Sequence, residues 1–234
     1  MLTIVFAESA LETIPEQLWG HSAIRKYAEK KRRHPQFLIL DRSYHHAAMM
    51  QLEGNEKKGR PDIVHFSLLE ALGSPLNREG MLRLCVHTLS NDVIFVDQKT
   101  RLPRNYNRFL GLMEQLFELG RIPPEGPSLL TLTKNISLPR LITDLKPDRT
   151  IVFSQDGTPR TMEQAVYEFA GKKNPLAIVG GFPHGTFSEE VMKLADYVVS
   201  VDRDTLEAWT VTARIIYEYE ALIGLPARRL TTEN

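Results

Sequence analysis

From Leu129 onward the chain alternates short β-rich runs with helical patterns. LLTLT (129–133) precedes a helix from Ser137, TIVFS (150–154) precedes TMEQAVYEFAG, LAIVGG (176–181) precedes SEEVMKLA, and YVVSV (197–201) precedes a last long helix from Asp204. Strands that recur only after a helical crossover lie parallel, and their crossovers cover the sheet. The pattern therefore predicts an α/β fold with a mostly parallel sheet and helices on both faces. In such sheets small ligands bind outside the carboxyl ends of the strands.

The N-terminal half is less regular. LTIVFAE (2–8) and FLILD (37–41) read as strands, SAIRKYAEKKRR between them as a helix, and AAMMQLE as a short helix cut by Gly54. After Pro61, a helix stopping at Gly73 places Ile63, Phe66, Leu69 and Leu72 at the spacing of a core-facing stripe. MLRLCVHT (81–88) and NDVIFVD (91–97) suggest a hairpin, followed by the basic turn RLPRNYNRF and the helix FLGLMEQLFELG. IPPEGPS (122–128) is the densest Pro/Gly stretch and reads as a boundary or long connection. At 234 residues, 42% hydrophobic and 25% charged, the chain buries a core without staples. A single cysteine, Cys85, points to a reducing compartment. Runs such as FLIL and VIFV are far short of the roughly 20 residues a membrane span needs. The opening MLTIVFAESA lacks a basic leader, so neither a span nor export is expected.

Three strand exits look built for a ligand: IVFSQDG, LAIVGGFPHG, and VVSVDRDT with Asp204 as a possible helix cap. Glycines there allow close main-chain approach, although a Gly-Gly at a strand end is also simply a turn. GGFPHG lacks the GxGxxG spacing, and neither a GxxxxGK[ST] loop nor a GxSxG elbow occurs. The adjacent His45 and His46, and the Cys85/His87 pair, lack zinc spacing, so no metal is assigned.

The charge balance of 29 against 29 hides a local pattern. Between His21 and Arg60 ten Lys/Arg face four Asp/Glu, and from Lys99 to Arg108 there are four basic residues and no acid. Arg101, Arg104 and Arg108, interleaved with Tyr106 and Phe109, suit phosphate oxygens and stacked bases; a solvated charged face is the alternative. Asp62, two residues after Arg60, can hold that guanidinium in one rotamer, or simply cap the helix.

RPDIVHFSLLEALGSPLNREG, TRLPRNYNRFLGLMEQLFELGRIP, LLTLTKNIS, IVGGFPHG and SVDRDTLEAWTVTARIIYEYE together resemble the ribosome-biogenesis pseudouridine N1-methyltransferases, the nucleolar-essential or essential-for-mitotic-growth family, in its short archaeal form. The resemblance covers nearly the whole chain. It implies one SPOUT-class domain over 1–234 with a C-terminal trefoil knot. RNA-binding elements would lie mainly in 21–110 and the knotted cofactor region in about 128–225. It implies S-adenosylmethionine as methyl donor, held by Phe153, Gly180, Gly185 and the run Ser200, Val201, Asp202, Arg203, Asp204, Thr205. It further implies methylation of a pseudouridine in small-subunit rRNA, with Arg60, Arg101, Arg104 and Arg108 on the RNA. Arg60 and Asp62 would be the catalytic pair, the carboxylate orienting the guanidinium or relaying a proton. A cytoplasmic homodimer is implied, as is possible contact with small-subunit ribosomal proteins. The competing function is a non-catalytic rRNA-binding assembly factor. The basic patch of the N-terminal third is assigned to RNA by charge alone.

Overall fold

The computed structural model describes residues 1–231. Among them one eight-stranded sheet runs through the molecule. Its strands are β1 (Leu2–Ser9), β2 (Leu82–Thr88), β3 (Val93–Val96), β4 (Arg121–Ile122), β5 (Leu130–Thr133), β6 (Arg149–Pro159), β7 (Pro175–Gly180) and β8 (Tyr197–Ser200). Their spatial order is β4-β5-β3-β2-β1-β7-β6-β8. The block β2-β1-β7-β6-β8 is parallel throughout, and β3, β5 and β4 extend it as an antiparallel arm.

Central strands buried on both faces are apolar at nearly every position, and side chains alternate between two cores. Leu2, Ile4 and Phe6 of β1 face one core; Val5 and Ala7 face the other. The first is closed by α3 (Pro61–Gly73), α5 (Tyr106–Leu119), α7 (Met162–Tyr167) and α9 (Ala208–Leu222). The second is closed by α6 (Leu138–Leu145) and α8 (Glu189–Met192). A satellite core joins Ile14 and Leu18 to α1 (Ser22–Lys31) and α2 (Arg42–Met49). Two short helices, α4 (Pro75–Arg78) and α10 (Leu225–Thr231), complete the set. No described helix is long and apolar enough to cross a membrane.

Four expectations need correction. FLILD is not a sheet strand: Pro35 to Phe37 form a 3₁₀ turn, and Ile39 makes only an isolated bridge to Thr13. Leu38 and Leu40 instead bury in the satellite core, so the segment's apolar content serves that core. In α3 the deepest residues are Ile63, Val64, Leu68 and Ala71; of the expected stripe Ile63 is buried and Leu69 and Leu72 pack partly buried against the first core, while Phe66 is 45% exposed and meets the Trp209 ring edge-on. Both stripes have helical spacing, and a helix apolar on most sides does not declare which one faces inward. The last long helix begins at Ala208 with Glu207 at its N-cap, leaving Asp204 exposed in the preceding loop. The inward face of this helix is Val211, Thr212, Ile215, Ile216 and Tyr219. Finally, of the two readings of IPPEGPS the connection holds and the boundary does not: it joins β4 to β5, two paired strands of the one sheet.

At the β6/β8 edge the chain doubles on itself. Val199 is partnered by Phe153 and again by Thr158, and Arg160 N–H donates to the Ser200 carbonyl. A strand residue has one partner per edge, so the chain before and after 154–157 flanks β8 on both edges. The fit is tight: a Cβ at Gly157 would lie 2.4 to 2.6 Å from Val199 backbone atoms.

Candidate active site

The three strand exits converge. Beyond β6, β7 and β8 they enclose a cavity of about 570 Å³. Phe153, Ser154 and Gln155 line it from the first exit, Gly180 and Phe182 to Phe187 from the second, and Ser200, Val201, Asp202, Asp204 and Thr205 from the third. Ile63, Val179, Val199 and Val211 give it apolar walls, and Arg60 stands at its edge. The volume falls within the roughly 300–1,000 Å³ of small-molecule sites. Gly180 leaves room that a side chain would take, since a Cβ there would lie 2.9 Å from the Phe182 ring.

Of the residues expected around a cofactor, Phe153, Gly180, Gly185, Ser200, Val201, Asp202, Asp204 and Thr205 all line this cavity. Arg203 does not: its side chain is 93% exposed and points away, near the Asp204 carboxylate. The third exit holds its own shape, with Ser200 Oγ donating to the Asp202 carbonyl at 3.0 Å and Asp204 N–H to Asp202 Oδ1 at 3.1 Å. That amide, with Arg214, keeps the Asp202 carboxyl below its ordinary range. Thr205 Oγ1 donates to Gln155 Oε1, tying the third exit to the first.

Arg60 is the N-cap residue of α3, with Pro61 at the first helical position, where its missing N–H costs nothing. Nε and Nη2 of Arg60 donate to Oδ1 and Oδ2 of Asp62, each at 2.8 Å. Asp62 does not cap the helix: it lies past the Arg60 N-cap, in the first turn, and no side-chain hydrogen bond caps α3. That hydrogen-bonded pairing raises the Arg60 pKa, and Glu207 adds to it. Arg60 is permanently charged in this position.

Arg101, Arg104 and Arg108 are exposed, and none joins an ion pair among the described residues. They do not share a helix face, since α5 starts only at Tyr106, capped by Asn105 Oδ1 accepting from Arg108 N–H at 3.1 Å. Leu102 instead turns inward, and this aims Arg101 and Arg104 out. The turn is anchored from below. His65 Nε2 meets the Pro103 carbonyl at 2.7 Å, so Nε2 carries the proton, and its ring stacks on Phe109 with centroids 4.2 Å apart. Tyr106 Oη donates to Asp41 Oδ2, while Ser43 N–H donates to Asp41 Oδ1. His65 and Arg60 are five residues apart on α3, about 7–8 Å along its axis, so the arginine turn and the Arg60 fork share one support.

Sequence reasoning missed His65, Tyr106 and Asp41 as this support, and Gln155, Phe182, Phe187 and Glu207 at the cavity. The cavity residues sit beside strand exits already singled out, which was their available signal. The Asp41–Tyr106 bond spans 65 positions and left none. Cys85 and His87 are both buried. Burial pushes the Cys85 thiol up to about 12, and His87 bonds Asn91 Oδ1 at 3.1 Å. No group of three or more His, Cys, Asp or Glu among the described residues is placed to hold a metal.

Comparison with known proteins converges on one family. The model of the EMG1/NEP1 methyltransferase family matches residues 4–220. The "Ribosomal RNA small subunit methyltransferase Nep1" of Thermococcus kodakarensis is 44% identical over 228 residues, covering 96% of this chain and all of that protein. Its namesake from Pyrococcus furiosus is 46% identical over 219 residues, covering 94% and 96%. The crystal structure of Archaeoglobus fulgidus Nep1 bound to S-adenosylhomocysteine superimposes with a TM-score of 0.83 at 37% identity, covering 95% of this chain and 98% of that one. The chain belongs to the EMG1/NEP1 methyltransferase family.

Proposed function

We propose that this protein is an S-adenosylmethionine-dependent methyltransferase of small-subunit ribosomal RNA, acting at N1 of a pseudouridine. One observation carries the reading: the Arg60–Asp62 fork opens onto the cavity built by the three strand exits. The relatives named as rRNA small-subunit methyltransferases and the S-adenosylhomocysteine in the A. fulgidus protein support it. Apolar walls from Phe153, Val179 and Val211 suit an adenine ring, and the main chain of 180–187 and 200–205 offers its polar edge amides and carbonyls.

S-adenosylmethionine, when bound, supplies an electrophilic methyl group. The chain's tasks are then alignment and charge. The pseudouridine N1 must shed its proton as it gains the methyl, and negative charge spreads to the ring carbonyls. Arg60, held rigid and charged by Asp62, stabilises that charge as a preorganised donor does in an oxyanion hole. The Asp62 carboxylate fixes the guanidinium or takes up the proton. Arg101, Arg104 and Arg108 hold phosphates, and the target base leaves its stack to reach the cavity, a cost of a few kcal/mol.

The reading extends to a single domain over 1–234, with RNA elements mainly in 21–110, and to a trefoil knot, supported by the double flanking of β8 around Val199. It also includes a homodimer through the α7/α9 face, where Tyr167 and Tyr217 are 68% and 67% exposed. A cytoplasmic setting and contact with ribosomal proteins complete it. Titration with S-adenosylhomocysteine, followed by labelled-methyl incorporation into small-subunit rRNA, tests it. Saturable binding and incorporation support it; binding with no incorporation refutes the enzyme.

A further inference from the structure

Two charged residues outside the chemistry above bridge its halves. Glu8, the penultimate residue of strand β1, has φ +49°, a backbone that non-glycine residues adopt at a cost. Both its carboxylate oxygens are engaged: Oε2 accepts from Lys57 Nζ at 2.8 Å and Oε1 from Ser188 N–H at 3.1 Å. Lys57 also donates to the Thr186 carbonyl and stands 4.5 Å from the Phe182 ring centroid. Gly185, at φ +88°, keeps the space clear, since a Cβ there would lie 3.2 Å from Lys57 Cε. Burial pushes the Glu8 carboxyl up, but Lys57 and Ser188 outweigh it and leave it below its ordinary value. Lys57 thus spends its charge on β1 and on the cavity loop 182–188, yet it lies three residues before Arg60, within about 10 Å of chain.

We propose that Lys57 and Glu8 are positioning residues that couple methyl-donor binding to RNA binding, by tying the cavity loop 182–188 to the segment 54–60 that delivers Arg60. The inference rests on the proposed function. A ligand that orders 182–188 fixes Thr186 and Phe182, hence Lys57, hence the approach to Arg60. Linkage makes the effect reciprocal: RNA seated on Arg60 tightens the donor site by the same factor.

The test is calorimetry with S-adenosylhomocysteine, alone and with a saturating pseudouridine-containing RNA hairpin, on wild-type protein, Lys57→Met and Glu8→Gln. Glu8→Gln keeps an acceptor for the Ser188 amide and serves if Lys57→Met does not fold. The expected result is donor affinity tightened about fivefold or more by RNA in wild type, and a ratio near one in both variants. A lowered melting temperature with an unchanged ratio marks a merely structural brace and overturns the proposal, as does a wild-type ratio of one. Failure of wild type to bind S-adenosylhomocysteine at all overturns the site reading itself, and this coupling with it.

Discussion

The guanidinium of Arg60 is clasped by the carboxylate of Asp62 across Pro61, through two parallel hydrogen bonds of 2.8 Å. Such a bidentate pair is stronger and more directional than a single contact, and both groups are only partly exposed. Arg60→Ala is therefore expected to lower single-turnover methyl transfer by about 10²–10³, the usual cost of one preorganised donor. S-adenosylhomocysteine affinity should stay within about twofold, because the three strand exits remain intact. Asp62→Asn keeps the shape and loses the charge, and should fall between. Calorimetry alongside stopped reactions separates the two effects; a matching loss of donor affinity would sink this division of labour.

Replacing Arg101, Arg104 and Arg108 with Ala together should weaken RNA binding and make it less sensitive to salt. At roughly 0.7 per contact for single strands, three lost phosphate contacts make the slope of log K against log salt shallower by about 2. Filter binding between low and high salt reads it. An unaltered slope returns these side chains to ordinary surface charge.

Acid should destabilise the fold before it titrates most carboxylates. Burial lowers the pKa of His45 from its ordinary 6.5 to about 4, and lowers His65 and His87 as well. The unfolded chain binds these protons more readily, so stability present above pH 6.5 is lost as pH falls toward 4. For His45 alone the loss at the acidic limit is on the order of 3 kcal/mol. Denaturant midpoints at pH 7.5 and pH 5 should differ in that direction; equal midpoints would mean these rings are solvated.

Gly157→Ala tests the chain crossing at β8. The new Cβ would meet Val199 N, Cα and C, backbone atoms that cannot swing aside. A loss of about 3 kcal/mol or more is expected, the upper range for overpacking. Gly111 is a fair control, with nothing within 4 Å of its own Cβ position and a helix around it. If both alanines melt alike, the crossing is looser than described.

The parallel block was legible because β6, β7 and β8 are short apolar runs separated by helical ones, a pattern set locally. Their exits were legible as ligand loops because glycine and polar residues cluster where strands end. FLILD misled for the same local reason: its composition is a strand's, but burial of Leu38 and Leu40 beside Ile14 and Leu18 decided its place. Arg203 was expected with its neighbours along 200–205, but its side chain is exposed beside the Asp204 carboxylate, a direction that no residue pattern declares. The Glu8–Lys57 pair joins positions 49 apart and lies outside any local signal. The trefoil knot is an expectation that rests on the family resemblance and on no local signal.

The central claim is that the Arg60 fork and the strand-exit cavity form one site for transferring a methyl to pseudouridine N1. The most direct measurement is single-turnover transfer of a labelled methyl group to an RNA hairpin carrying one pseudouridine, against the same hairpin with uridine. The account predicts one methyl per pseudouridine hairpin and none on uridine, where that nitrogen is bonded to the sugar. Equal labelling of both, or tight binding of both with no transfer, would contradict it.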